Sequence, residues 1–551
     1  MQSVSQEWID NQSAIIRKPG FIVVNIPDVK ISCGAVSHRV ETVNTETHYI
    51  SDPLGCDYLD KCGISVTFNT TLLGSNSVKI VSLNDKSEQL KSITITSSSL
   101  TNGSYYWETT GFSKIKIICK TASVTDIQLY AYGIPRADIQ SYTHSRSYDP
   151  MGFELPTNDI AIDVYNYADK YTDFYKNYSN EGYSVIVYYG YKLDSGDEII
   201  LGGTFHLTEV QLVDSILTLT GESLLSFIDE KGSMGIFDLK ANEGGYIYVG
   251  VRDDYSSVST YTVDLTTRPE FNITGEDLIT YLKDKVGINI TTNSNYSEIQ
   301  ATNRWFNSSY IEMIQSLINL LLNRCFVDRN DYLHFDVCNT TNVENGNHIL
   351  MMNSLEKPSY SSTKKVKKFE IATSVNGTSQ EMFEEGNVSS NGDYTYKQEL
   401  DCVNNRILSV SMRSRGIYWI KIYPDGLQVH YRSTTSSYSY YVNCTIRYCQ
   451  MVEGIEENTV DTNGYICDIE SPLGRPSDTT KIVNYFSNRD LYTFNVRGNP
   501  ARDVGDYVNV SLTNDDDPST YKKGLVLSSI LSYDGSFKEE CTVRIIENDF
   551  E

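Results

Sequence analysis

The sequence predicts a mainly β protein of the α+β class, in which two β-barrel domains flank a small helix-containing module and a β-sandwich is inserted in the first barrel. Short runs of alternating apolar and polar residues, rich in Val, Ile, Thr and Tyr, recur along most of the chain and are typical of half-buried strands. Helical apolar spacing is confined to a stretch between about residues 270 and 340. A length of 551 residues predicts roughly three to four domains.

Composition restricts the class of partner. The apolar content of 40% is sufficient for buried cores, whereas the formal charge of −25 argues against nucleic acid as a specific partner, because phosphate binding requires a basic face. The N-terminal residues lack the basic and apolar regions of a signal peptide. The apolar run 310–326 is interrupted by Glu312, Gln315 and Asn319, and therefore predicts a core helix and no membrane span.

The eleven cysteines are an odd number and form no CxxC pair. They favour buried thiols in a reducing compartment over a disulfide framework.

The first half of the chain divides at changes in pattern. Residues 1–30 are a polar lead-in followed by the strand "FIVVNI", which we assign to the first barrel. Residues 31–145 contain closely spaced short strands and an Asn102-Gly103 turn, as in a β-sandwich. Residues 146–235 have the pattern of hairpins that complete the first barrel and end in one helical turn.

Residues 236–365 are predicted to form the mixed α/β module. Thr274 is a candidate N-cap for a helix whose apolar residues have helical spacing: Leu278, Ile279, Leu282 and Val286. A second helix is predicted from about Ser308 to Arg324, followed by two short strands around an Asn330-Asp331 turn.

Residues 366–551 are again strand-rich and are predicted to form the second barrel with insertions. Within them, "RGNPARDVGDYVNV" (497–510) predicts a turn followed by a strand, which we expect to form an edge hairpin of the barrel. Gly505 and Gly535 lie in turns that often require positive φ.

A search for catalytic chemistry yields no catalytic, cofactor-binding or metal-binding residue. The chain contains none of the common nucleotide-binding or hydrolase motifs, and its seven His residues are far apart. Two acidic segments offer oxygen atoms for calcium but lack the ligand spacing of a calcium loop, so solvated loop tips are the simpler interpretation: Asp461, Asn463 and Asp468, and Asp515, Asp516 and Asp517. A carboxylate pair for glycoside hydrolysis stays open, because no local sequence singles one out.

Two surface features have alternative interpretations. The basic cluster "KKVKK" (Lys364 to Lys368) could contact nucleic acid, but a solvated strand edge or linker is favoured, because lysines on an edge block unwanted pairing. Tyr105, Tyr106 and Trp107 could stack on sugars, with packing or interface contact as the alternative.

Several phrases, in their order along the chain, resemble the baseplate hub or tail-tip hub of tailed phages, including the N-terminal hub region of tail-associated lysins. The similar phrases are "PTNDIAIDVYN", "YSVIVYYGY" and "ILGGTFHLTEV" for the first barrel, "YIEMIQSLINLLLNRCFVDRNDYLHFDV" for the helix and hairpin, and "GNPARDVGDYVNV" and "GLVLSSILSYDGSFKEECTVR" for the second barrel. The resemblance covers roughly residues 1–30 and 146–551. The 31–145 block interrupts the hub pattern, and no peptidase or lysin sequence follows the second barrel.

The resemblance implies tube-like barrels and a structural, non-enzymatic function in a virion tail assembled in the bacterial cytoplasm. It implies a homotrimeric adaptor that joins the six-fold tail tube or distal tail ring to a three-fold tip or spike, and that forms part of the channel for DNA and the tape measure protein. The expected partners are therefore tube or distal tail protein, tape measure protein and tip or spike protein. The alternative is a carbohydrate-binding, receptor-recognition protein of the tail tip, with glycan contact by residues 31–145; a glycosidase is a third hypothesis.

Overall fold

The computed structural model describes most of the 551 residues. The described residues are 2–14, 17–69, 77–148, 155–177, 182–228, 233–235, 246–251, 259–268, 274–292, 296, 307–321, 324–336, 348–350, 354–363, 365–388, 392–433, 440–461, 463–471, 490–512 and 518–546. The statements below refer to these residues.

The described α-helices are α1 (Gln6–Ser13), α2 (Thr172–Asn177), α3 (Gly275–Val286) and α4 (Tyr310–Leu321). The strands are β1 (Gly20–Asn25), β2 (Ile31–Ala35), β3 (His38–Val43), β4 (Glu46–Ser51), β5 (Cys62–Phe68), β6 (Val78–Leu83), β7 (Gln89–Ile95), β8 (Ser104–Thr109), β9 (Lys114–Cys119), β10 (Val124–Ala131), β11 (Gly133–Ile134), β12 (Ile139–Ser147), β13 (Asn158–Tyr165), β14 (Ser184–Lys192), β15 (Asp197–Val213), β16 (Ile216–Glu222), β17 (Ser233–Gly235) and β18 (Ile247–Gly250). They continue as β19 (Ser259–Asp264), β20 (Asn289–Thr292), β21 (Asn307–Ser309), β22 (Arg324–Val327), β23 (Tyr332–Asp336), β24 (His348–Leu350), β25 (Ser359–Ser362), β26 (Val366–Val388), β27 (Gly392–Glu399), β28 (Asn405–Ser414), β29 (Gly416–Tyr423), β30 (Gly426–Ser433), β31 (Tyr440–Thr459), β32 (Tyr465–Ser471), β33 (Asp490–Arg497), β34 (Tyr507–Ser511), β35 (Lys522–Tyr533) and β36 (Phe537–Ile545). The predicted mainly β fold is confirmed.

Strands from both ends of the chain form one 13-stranded sheet. Its main path is β11-β1-β14-β15-β16-β13-β12-β35-β36-β33-β25, with β34 beside β35 and β24 beside β34. Strand β12, most of which lies in the predicted 31–145 block, pairs with β35 of the predicted second barrel, from Tyr142↔Tyr533 to Ser147↔Ser528. Backbone hydrogen bonds thus join strands that are distant in sequence within this one sheet.

Side-chain contacts connect β1 with the hairpin of β35 and β36. The hydroxyl of Tyr533 donates to the carbonyl of Gly20 at 3.2 Å, and the ring of Phe537 lies so close that a Cβ at Gly20 would be 2.6 Å from it. Glycine is therefore required here for close approach. The strand faces alternate as expected: Ile160, Ile162 and Val164 of β13 point inward and are buried.

The segment between β1 and β12 forms two sheets of its own. Their orders are β2-β10-β5-β8 and β3-β4-β9-β6-β7, and within the described residues these strands pair only with one another. The first and last strands lie side by side, with Ile31 opposite Ala131, so the segment leaves and rejoins the long sheet at nearly the same place. Strand β12 lies largely within the predicted 31–145 block but pairs with β13 and β35 of the long sheet.

A second pair of sheets combines the strands β18-β29-β30-β27 and β19-β28-β31-β26-β32. It includes β18 and β19, from the predicted 236–365 module, paired with β29 and β28, from the predicted 366–551 barrel. Strand pairing therefore crosses the division drawn at residue 365. The hairpin of β26 and β31 runs from Lys368↔Thr459 to Val388↔Tyr440 and is the longest strand pair described.

The helices and the small sheet within residues 274–336, called the helical module below, follow the sequence prediction closely. Thr274 caps α3 through a capping box with Asp277, and Gly287 ends the helix at φ 75°. Helix α4 is amphipathic and packs with α3 beside the small sheet β20-β23-β22. The prediction that the second helix reaches Arg324 is wrong: that residue begins β22, because Cys325, Phe326 and Val327 are strand formers that pair with β23.

Two further expectations are corrected. The N-terminal lead-in contains α1, capped by the Ser5 side chain and anchored by Trp8, which is buried edge-on against Tyr191 at 4.7 Å. The 497–510 phrase does not form an edge, because β34 lies between β24 and β35. The closing turn is as predicted, with β35 ending at Tyr533 and β36 beginning at Phe537.

Candidate functional site: a buried charged junction

The most concentrated group of buried charges lies where three parts of the chain meet. Asp503, in the segment before β34, accepts hydrogen bonds from Arg146 Nη1 on β12 at 2.5 Å and from Arg329 Nε, in the turn between β22 and β23, at 2.8 Å. Both guanidinium groups are over nine-tenths buried, whereas Asp503 is 30% exposed. One carboxylate thus joins three segments that are distant in sequence: β12, the turn between β22 and β23, and the segment before β34.

The two arginines also bind the backbone around Asp503. Arg329 donates to the carbonyls of Leu201 at 2.7 Å and Pro500 at 2.8 Å, and Arg146 donates to the carbonyl of Arg502 at 3.0 Å. The Asn499-Pro500 turn is therefore held by hydrogen bonds to its backbone carbonyls. These bonds form only if the backbone follows the path seen here. The turn forms part of an internal junction, and this accounts for the distinctive sequence of the segment.

A second buried ion pair adjoins the first. Arg502 Nη1 donates to Glu539 Oε2 at 2.7 Å, and both side chains are almost completely buried. Ser529 donates to Glu539 at 3.0 Å, and Arg502 also donates to the carbonyl of His348 at 3.0 Å. The pair therefore connects the 497–506 segment to β36, β35 and β24.

The pKa values of two neighbouring carboxyl groups, those of Asp503 and Asp506, are shifted in opposite directions. Burial alone would raise the pKa of Asp503, but the charges of Arg329 and Arg146 outweigh it and hold that pKa below its usual value. Burial, together with the negative charge of Asp503, raises the pKa of neighbouring Asp506. Asp503 is thus stabilised as an anion, which suits a structural ion pair.

The interior of the first barrel contains a neutral polar chain. His144 Nδ1 lies 2.7 Å from the Tyr189 hydroxyl and Nε2 lies 2.7 Å from Asn158 Oδ1, while the Tyr189 and Tyr142 hydroxyls are 2.8 Å apart. Burial and nearby Arg146 lower the pKa of His144 well below its usual value. All four side chains are buried, so this arrangement satisfies polar groups in the core and offers no access to a substrate.

A separate contact joins β15 to the turn between β22 and β23. His206 Nε2 on β15 lies 3.1 Å from Asp331 Oδ2, and Asp331 also accepts from the Leu224 amide at 3.1 Å. The hydrogen bond to Asp331 raises the pKa of His206 despite partial burial. Asp331 itself has φ 63°, so the predicted Asn330-Asp331 turn positions this carboxylate.

Several sequence candidates do not assemble into a site. Lys365 pairs with Asp461 at 2.7 Å and Lys368 with Glu457 at 2.9 Å, so this part of the basic cluster is neutralised locally; Lys364 lies outside the described residues. Asn463 is exposed and Asp468 lies on β32, while 515–517 are also outside the described residues. Among the residues that the structure covers, no group of three or more His, Cys, Asp or Glu could hold a metal ion.

The aromatic candidates are largely committed to packing. Trp107 is buried and Tyr105 packs against the core. Tyr106 is 37% exposed, but Lys30 Nζ lies 3.7 Å from its ring centroid, and the Tyr106 ring occupies the space that a Cβ at Gly63 would take. Lys30 therefore lies over this ring, and sugar stacking on that face would have to displace it.

All the described cysteines except Cys467 are buried. Among the described helices, none has the length and apolar character needed to cross a bilayer.

Sequence reasoning missed the junction itself. Arg146, Arg329 and Asp503 are separated by more than 170 residues along the chain and carry no shared motif. One signal was available: a charged "ARD" triplet directly after Asn499-Pro500, within a segment otherwise rich in apolar strand formers. Charges in such a place indicate either a solvated turn or a buried pair.

The sequence matches no protein-family model and no curated protein. Solved structures with similarity to the chain include the 43 kDa tail protein of prophage MuSo2 from Shewanella oneidensis, with 9% identity over 77% of this chain and 94% of that one and a TM-score of 0.37. The prophage tail protein gp18 from Listeria monocytogenes has 9% identity over 86% and 95%, with a TM-score of 0.35. The Escherichia coli c3393 protein, a component of the type VI secretion system, has 9% identity over 75% of each chain, with a TM-score of 0.31.

Proposed function

We propose that the protein is a structural hub of a phage tail or phage-tail-like particle and that it is not an enzyme. The observation that carries the proposal is the junction of β12 with β35, locked by the Arg146–Asp503–Arg329 group. Buried charges and a continuous sheet here join the two ends of the chain into one wall. Such an arrangement suits a structural component of an assembly, and it accords with the resemblance of the sequence to tail hubs.

We propose a division of the chain that refines the one drawn from sequence. The hub body comprises residues 1–30, 133–228, 348–362 and 490–546, which supply the long sheet. Residues 31–131 are an inserted β-sandwich, and residues 274–336 are the helical module. The strands of 247–264 and 366–471 form a second accessory sandwich.

In the proposed assembly, three copies form a ring. Each contributes two tube-like barrels, so that a three-fold ring presents six similar barrels to a six-fold tail tube or distal tail ring. The other side of the ring would receive the three-fold tip or spike, and the channel would pass DNA and the tape measure protein. Because each chain carries a formal charge of −25, we propose a predominantly acidic channel wall, which repels the DNA backbone.

Two measurements test the hub proposal. Mass photometry of the purified protein should give a species of about three times the 62.3 kDa of one chain. Antibody labelling of particles from the producing cell should place the chain at the tail tip. A monomeric protein absent from particles would contradict the proposal.

Zymography on host cell walls and glycans tests the non-enzymatic part of the proposal. The purified protein should leave both substrates intact. Clearing at catalytic amounts of protein would refute it. Binding of the isolated protein to host glycans, without incorporation into tails, would favour the receptor-recognition alternative.

A further inference from the structure

A concave pocket with positively charged lining lies at the edge of the first barrel. Its volume is about 410 Å³, and its lining includes Arg17, Lys18, Arg497 and Lys538 around an apolar part formed by Phe537 and Leu355. Leu355 is 55% exposed, although Phe537 is buried. None of the described lining residues is acidic, which is unusual in a chain with 71 Asp and Glu residues against 46 Lys and Arg.

The positive charge of the pocket is only partly balanced from outside it. At the rim, Lys18 pairs with Asp194 at 2.7 Å and Lys538 with Asp534 at 2.6 Å, in exposed ion pairs. Deeper in the pocket, Arg17 donates to the carbonyls of Gly498 at 3.0 Å and Gln12 at 2.5 Å, which are neutral acceptors. Burial and the neighbouring charge of Arg497 both lower the pKa of Arg17, so an added carboxylate would be electrostatically favourable.

A patch of complementary chemistry lies elsewhere on the same barrel. Tyr167 is 83% exposed, Val213 is 63% exposed and Tyr165 is 47% exposed. The exposed carboxylates of Asp169 and Asp214 flank these side chains in sequence. This tyrosine patch, defined as these five residues, thus combines apolar side chains with negative charge.

The tyrosine patch is held in place by its own backbone contacts. The amide of Asn166 donates to the carbonyl of Ser215 at 2.7 Å, which joins the end of β13 to the turn between β15 and β16. The buried Asn166 side chain accepts from the Tyr171 amide at 2.6 Å. A fixed apolar patch on a rigid turn is a typical feature of a protein interface.

We propose that the tyrosine patch of one copy docks into the basic pocket of a second copy, as the head-to-tail contact that closes the ring. This inference rests on the proposed function and names the surfaces involved. Copies that each carry −25 repel one another at long range, and a local contact of opposite charge offsets this repulsion. A pocket and a patch on different surfaces make a heterologous contact, which can close into a ring.

The test uses the full chain with substitutions on each surface. The pocket variant combines Lys18→Glu with Lys538→Glu, and the patch variant combines Tyr167→Ser with Asp169→Asn and Asp214→Asn. Asn retains compatibility with the positive φ of both aspartates, 57° and 53°. Thermal denaturation establishes folding, and Lys18→Gln with Lys538→Gln replaces the pocket variant if the charge reversal prevents folding.

Mass photometry then distinguishes the outcomes. We expect each variant alone to form no trimer and to be detected as a monomer of 62.3 kDa. A mixture of the two variants should restore only a two-chain species, because the intact pocket of one fits the intact patch of the other and no ring can close. The control Lys120→Glu with Lys397→Glu has the same charge change on two exposed lysines and should remain trimeric.

Trimers formed by both folded variants would overturn the docking contact while leaving the hub proposal intact. A monomeric wild-type chain would overturn both. A mixture of the variants that stays monomeric would overturn the pairing of these two surfaces.

Discussion

Replacing Arg329 with Met should destabilise the protein strongly, because this residue is the centre of the charged junction. Its guanidinium is 7% exposed and donates to Asp503 and to the carbonyls of Leu201, Pro500 and Arg502 at 2.7–3.2 Å. Met retains much of the length and the apolar contact but removes every one of these donors. Asp503 would keep Arg146 alone, and buried carbonyls would lose a charged donor.

The expected loss is about 3–5 kcal/mol of unfolding free energy, the usual cost of removing one partner of a buried ion pair. Asp503 is partly exposed, and water can replace some of the lost contacts, which favours the lower end of that range. The cost arises because the carboxylate and the carbonyl oxygens that remain in the interior lose their hydrogen-bond donor.

Urea denaturation followed by circular dichroism measures this loss. The matched control is Arg39→Met, since Arg39 forms an ion pair with Glu41 at 3.0 Å but is 68% exposed, and such pairs contribute about 1 kcal/mol or less. Equal stability of the two variants would refute the assignment of Arg329 as a buried structural residue.

Three further outcomes are expected. Gly535→Val and Gly505→Val, at φ 105° and 80°, should each cost about 1–2 kcal/mol in the same denaturation assay through backbone strain, and parental stability of both would contradict this. The raised pKa of His206 means that its charged pairing with Asp331 stabilises the fold at low pH and is lost as the pH rises through the folded-state pKa. The stability advantage of the parent over His206→Gln should therefore shrink as the pH rises above the ordinary pKa of histidine, and a constant difference would contradict the pairing. Residues 31–131, expressed alone, should give one cooperative thermal transition in circular dichroism, because Ile31 and Ala131 are neighbours in the sheet; a disordered spectrum would disprove autonomy.

Local signals in the sequence predicted the local structure well. The capping box of α3 depends on Thr274 and Asp277, three residues apart, and the closing turn depends on Asp534-Gly535. Helix α1 was missed because it carries no apolar stripe and its contacts are with distant residues: Trp8 packs against Tyr191, and Glu7 accepts a hydrogen bond from the Asp194 amide at 2.5 Å. A short helix stabilised by tertiary contacts has little signal in its own sequence.

The junction and the sheet order could not be predicted in the same way. Pairing of β12 with β35 is specified by the complementarity of strands almost 390 residues apart, and many other strands in the chain have the same alternating pattern. The tyrosine patch and the basic pocket could not be predicted from the sequence for the same reason. Tyr167 is one of 41 tyrosines, and only the fold distinguishes it by its exposure.

The pairing of β12 with β35 also has a consequence for biosynthesis. A ribosome adds about 5–20 residues per second, so β12 emerges roughly 20–80 s before its partner strand. During that interval the N-terminal strands present an open edge to other nascent chains, which makes them prone to aggregation. Residues 522–533 seal this edge, and chains truncated before them should accumulate in inclusion bodies even though most of their sequence is intact.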